Sequence, residues 1–152
     1  MELLLIFPLL LMIVQDFRCR NVFLWQLLLF GVMQGGGSIY KYGLTLTTWN
    51  VLINVAILAI ISLTVAVYAF LRFRGKQKII GLGDVFFILF LTPSFYYLHF
   101  LYFLIVSFSL TLIGWLIYIA LVRDKTDKIP LISGVGICYS ALLVYNVIIA
   151  AI

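Results

Sequence analysis

Charge is what this chain has least of. Only 10% of its 152 residues are Asp, Glu, Lys or Arg, and 66% are apolar, whereas a soluble domain holds about 25% charged and about 45–50% apolar residues. That balance excludes a soluble globular domain and makes a bilayer the solvent. Cysteine is scarce too. Cys19 and Cys138 are too few for a disulfide framework or a four-thiolate zinc site, and they fall at different expected membrane depths. A single histidine, His99, lies near aromatic residues and has no carboxylate on its face, which excludes a metal site there. No metal and no organic cofactor is expected.

What is present is long apolar runs. A spanning helix needs about 20 mostly apolar residues, because hydrocarbon offers no partner for backbone N–H and C=O groups. The runs predict an all-α, polytopic membrane protein with about six transmembrane helices, near residues 2 to 17, 20 to 34, 48 to 72, 84 to 97, 98 to 122 and 130 to 151. The chain is expected to form one transmembrane domain, residues 1 to 152, with no separate soluble part. The first run lacks the basic start and small-residue cleavage site of a secretory signal, and reads as a retained helix. Gly35, Gly36, Gly37 and Ser38 predict a turn that breaks the second helix. Pro93 weakens the fourth helix near its end, and Pro130 suits the first turn of the sixth. Gly114, Gly134 and Gly136 permit close helix approach, while Asn50, Asn54 and Asn146 seek amide partners across helix interfaces.

The basic residues set the predicted orientation, since Lys and Arg concentrate in cytoplasmic loops. Arg18 and Arg20 follow the first helix, Arg72, Arg74, Lys76 and Lys78 follow the third, and Arg123, Lys125 and Lys128 follow the fifth. Only Lys41 falls on the other side, so both termini are expected outside the cytoplasm. The same counting puts Asp16 and Asp84 together on the cytoplasmic side. The first, second and fourth runs are short. About 14 residues reach roughly 21 Å, against a hydrocarbon core of about 30 Å. A bilayer thinned at this point would let water reach both carboxylates.

Asp16 ends one apolar run and Asp84 opens another, within Gly81-Leu82-Gly83-Asp84. Paired aspartates hydrolyse a peptide bond by sharing one proton: the ionised member activates water and the protonated member polarises the carbonyl. Gly81 and Gly83, lacking Cβ, would let a substrate strand approach the main chain. The plainer alternative is that Asp84 caps its helix and Asp16 marks the end of a span.

Asp16-Phe17-Arg18-Cys19-Arg20 and Gly81-Leu82-Gly83-Asp84-Val85 resemble the two signature segments of the type IV prepilin peptidase family, membrane aspartyl proteases of the Gly-x-Gly-Asp class. Their order, helix spacing and predicted sidedness match over nearly the whole chain, and Lys128-Ile129-Pro130-Leu131 looks like the family's closing segment. The resemblance implies an endopeptidase that removes the leader of a pilin-like or pseudopilin precursor at the cytoplasmic face of a prokaryotic inner membrane. Asp16 and Asp84 would be catalytic, and Arg18 would belong to the substrate-binding first motif. The partners implied are that precursor and the lipid bilayer, with no nucleic acid. Asn21 follows Arg20 directly where many relatives have Ile-Pro-Asn, and Val85, Phe86 and Phe87 stand where many have Lys. The Cys-x-x-Cys loop of larger, methylating relatives is absent. A protease cutting inside a substrate's membrane helix is a rival, although Gln15-Asp16 lacks the Tyr-Asp motif of such enzymes. A transport or assembly subunit whose carboxylates carry protons or terminate helices is another. Spin labels at positions 16 and 84 are expected to be more accessible to aqueous reagents than a label at the centre of the fifth helix, and equal accessibility would remove the thinned-bilayer expectation.

Overall fold

The computed structural model describes residues 2–19, 22–73, 81–122 and 131–151. Arg20, Arg74, Lys76, Lys78, Arg123, Lys125, Lys128 and Pro130, on which the predicted orientation and the closing segment rest, lie outside the described residues, as do the side chains of Cys19 and Arg72. Among the described residues the chain is all helix: α1 (Glu2–Cys19), α2 (Leu24–Phe73), α3 (Leu82–Leu91), a 3-10 turn (Thr92–Ser94), α4 (Tyr97–Val122) and α5 (Leu131–Ala151). Leu24–Tyr68, Tyr97–Leu121 and Leu131–Ile149 are long and apolar enough to cross a membrane. The protein is therefore an all-α, multi-span membrane protein with at least three such helices.

The break expected at Gly35, Gly36 and Gly37 is not there. All three are helical, and the interruption falls at Gly43, with φ 79° and ψ 164°. Glycine weakens a helix chiefly through the conformational entropy it loses, a cost smaller than that of leaving backbone groups unpaired in hydrocarbon. Among the described residues only Gly43 takes a backbone conformation that excludes other residues. The Thr47 hydroxyl donates to the Gly43 carbonyl at 2.8 Å and so occupies an acceptor the break exposes.

The chain folds back at this point. Gln34 and Asn54 would stand about 30 Å apart along a straight helix, yet both reach the short 92–95 segment. Gln34 Nε2 donates to Ser94 Oγ, and Asn54 Nδ2 donates to the carbonyls of Thr92 at 2.9 Å and Phe95 at 2.7 Å. Asn54 is thus bonded across a helix interface, as expected. Those carbonyls lie where the chain leaves helical geometry, Phe95 being extended after the 3-10 turn and before α4. The Thr92 hydroxyl and backbone N–H meanwhile both donate to the Leu89 carbonyl.

Two buried stripes organise the core. On α1, Leu5, Leu9 and Met12 recur at helical spacing, and on α5 Ile132, Val135, Tyr139 and Leu143 do the same. These helices pack on one another through Gly136, where a Cβ would lie 2.9 Å from Ile13. Phe30 of α2 stacks on Phe87 of α3 at 5.6 Å and meets Tyr139 of α5 edge-on at 6.3 Å, tying three elements together. Gly43→Ala is expected to lower stability in detergent by about 1–3 kcal/mol. Gly36→Ala, at an exposed helical position with open space beside it, should be neutral or stabilising by up to about 1 kcal/mol. Thermal unfolding of the two variants checks the difference, and equal midpoints would relocate the break.

Candidate functional site

The buried stripe of α1 continues through Leu5, Leu9 and Met12 to Asp16, four residues on, and Asp16 is only 5% exposed. On α3 the inward positions Phe87, Ile88 and Leu91 are preceded at the same spacing by the half-buried Asp84. Both carboxylates thus occupy core positions of their helices and turn toward protein. The charge of Asp16 acts directly on Asp84. Residues 68 apart in sequence are electrostatic neighbours.

Asp16 is held from α5. Its Oδ2 accepts the backbone N–H of Ser133 at 2.8 Å and the Ser133 hydroxyl at 2.9 Å. Ser133 is the third residue of α5, where the helix leaves N–H groups without internal partners, so Asp16 caps α5 from outside it. Both bonds fall on Oδ2, leaving Oδ1 outside them. Asp84 is the third residue of α3 and interacts with the backbone N–H of Gly81, the residue that caps the helix. That is the return half of a capping box, and it matches the plainer expectation for this residue. The last turn of α1 and the first turns of α3 and α5 therefore meet. At the α3–α5 contact, a Cβ on Gly83 would lie 3.8 Å from Ile132.

The glycines expected to admit a substrate strand have internal neighbours. A Cβ at Gly81 would stand 3.0 Å from Asp84 Oδ2, so the missing side chain makes room for the carboxylate. Gly83 meets Ile132 at an ordinary contact distance. Arg18 is exposed in the last turn of α1, about 200° around the helix from Asp16, and so faces away from the carboxylate pair. Ser133 is a residue that sequence reasoning missed. Its signal was a hydroxyl in the opening turn of an apolar helix, which is common in membrane helices and does not name its partner.

An apolar groove of about 430 Å³ runs beside this junction between α4 and α5, lined by Phe17, Trp115, Tyr118, Gly114, Ser133 and Gly134 among others. Gly134 serves the close approach expected of it, because a Cβ would collide with the Thr111 side chain, whereas Gly114 faces open space and does not. Neither carboxylate lines this groove, and neither lines a second cavity of about 340 Å³ whose walls include Gln34, Ser38, Ser94 and Tyr139. Among the described residues no three His, Cys, Asp or Glu side chains stand close enough to hold a metal ion.

No protein-family model, curated protein or solved structure matches this chain. Gly134→Ala should lower stability by about 1–3 kcal/mol through overpacking against Thr111. Gly114→Ala should leave it unchanged or raise it by up to about 1 kcal/mol, and equal thermal midpoints for the two would contradict the α4–α5 packing.

Proposed function

We propose that the protein is a membrane aspartic endopeptidase in which Asp16 and Asp84 form the catalytic pair. The observation that carries this reading is the convergence of two inward-facing carboxylates, from helices distant in sequence, where the end of α1 meets the starts of α3 and α5. A carboxylate inside a membrane protein is costly enough to mark function by default, and two such groups at one junction favour holding one proton between them. The ionised carboxylate takes a proton from water as the water oxygen attacks the scissile carbonyl. The protonated one donates to the carbonyl oxygen, giving a tetrahedral diol. Collapse breaks the C–N bond, with a proton passing to the departing amine, and the carboxyl pair again holds one proton.

The substrate class follows from the likeness of the two aspartate segments to those of type IV prepilin peptidases. It is a pilin-like or pseudopilin precursor with a short basic leader ahead of a hydrophobic helix, cut at the cytoplasmic face of a prokaryotic inner membrane. In this reading the chain crosses six times with both termini outside. Shared residence in the bilayer concentrates enzyme and substrate, since the enzyme's own basic residues would repel a basic leader. The apolar groove beside Ser133 is suited to the hydrophobic helix. The enzyme works with water as nucleophile and needs no metal or organic cofactor.

A second reading is favoured by one feature of the same site. Each carboxylate serves a helix start, Asp16 at α5 and Asp84 at α3, as it would in a transport or assembly subunit that uses acids only to close helices or carry protons. Asparagine separates the two, because it caps helices about as well as aspartate and cannot exchange a proton. Asp16→Asn and Asp84→Asn are each expected to retain helix content and membrane insertion while cleavage of a pilin-like precursor falls by at least about 100-fold. The parental pH–rate profile should have two limbs, since activity needs exactly one proton on the pair. Processing at the parental rate by either variant ends the protease reading. Proton flux in vesicles that disappears with either variant, without any proteolysis, favours the transport reading.

A further inference from the structure

The hold on Asp16 has two unequal parts. The Ser133 backbone N–H, 2.8 Å from Oδ2, is a permanent donor. The Ser133 hydroxyl stands 2.9 Å from the same oxygen and also 3.1 Å from the carbonyl oxygen of Ile13, on the preceding turn of α1. A serine hydroxyl has one proton and two lone pairs, so it satisfies one of these acceptors at a time. Ser133 is 2% exposed and Asp16 5%, which leaves little room for water to replace either bond.

We propose that Ser133 is the positioning residue for Asp16, its hydroxyl turning between Asp16 Oδ2 and the Ile13 carbonyl as Asp16 loses and gains a proton. The inference rests on the aspartic protease reading and deepens it. With Asp16 ionised, the hydroxyl and the backbone N–H both donate to Oδ2 and fix the carboxylate rotamer. With Asp16 protonated, the carboxyl is the poorer acceptor, and the hydroxyl donates to Ile13 while its own oxygen remains available to the acid. No buried donor or acceptor is stranded in either state. A catalytic aspartate changes protonation state within each turnover, and a partner that suits only one state would favour that state. One rotating hydroxyl suits both, without moving α1 or α5.

The test uses the full chain in membranes, with Ser133→Ala and Ser133→Thr compared against Asp16→Asn. Ser133→Ala keeps the backbone donor and removes the rotor. Its kcat should fall by up to about 100-fold, the scale of a misplaced catalytic group, with little change in KM, and Ser133→Thr should restore most of the rate. The second readout is the infrared carboxyl band of Asp16, identified by its loss in Asp16→Asn. It should move in Ser133→Ala and stay near the parental position in Ser133→Thr. Parental kcat together with an unmoved band in Ser133→Ala overturns the proposal. If Ser133→Ala does not accumulate in the membrane, Ser133→Cys carries the test: as a similar-sized but weaker donor it should give an intermediate rate, and a parental rate overturns the proposal. A band that moves as expected in a protein that cleaves no precursor upholds Ser133 as the partner of Asp16 and removes the protease reading alone.

Discussion

A carboxylate inside a membrane protein must find its donors within the protein, and the rest of this structure is arranged around how Asp16 does so. Its partners are the first-turn N–H and hydroxyl of Ser133, so the end of α1 is tied to the start of α5. The tie sets the relative height of the two helices. Their stripes then run together, Leu5, Leu9 and Met12 against Val135, Tyr139 and Leu143, with Gly136 allowing the close approach to Ile13. The start of α3 joins the same junction at Gly83 and Ile132, which brings Asp84 within the field of Asp16. One demand, that a buried charge be satisfied, registers three helices.

Elsewhere the same demand is met with neutral groups. Where the chain leaves helical geometry around the 3-10 turn, Asn54 reaches across to the Thr92 and Phe95 carbonyls. Gln34 bonds to both Ser94 and Tyr139, and Ser38 approaches Ser94 at 3.3 Å. These bonds fasten both limbs of α2 to the turn between α3 and α4. The α3 helix is therefore held at both ends, by polar side chains at its C-terminal turn and by α5 at its start. A short helix carrying a half-buried carboxylate is fixed by this, because its position does not depend on apolar packing that slides easily in lipid.

Much of the fold was legible. Length and hydropathy reveal helices and a bilayer, and five of the six expected segments begin within four residues of an observed helix. What differs is the break between the second and third segments, expected at residues 35–38 and found at Gly43 within α2. Gly35, Gly36 and Gly37 are the more conspicuous cluster, but composition does not report which glycine must adopt a positive φ. That is decided where the chain has to reverse for Gln34 and Asn54 to share the 92–95 segment. The inward aim of the carboxylates was not legible, because residues 3–14 and 85–91 are apolar on every face, and the stripes 5, 9, 12, 16 and 84, 87, 88, 91 are singled out only by what packs against them.

Solvent, helical class and the two acids worth attention were readable from local composition and position along the chain. That Asp16 and Asp84 share one junction, and that Ser133 holds the first of them, emerges from the packing of the helices. Those relations join residues 68 and 117 positions apart, and no local preference encodes a distance between helices. That distance arises from packing, from where glycines let backbones approach and from where a buried polar group finds its partner.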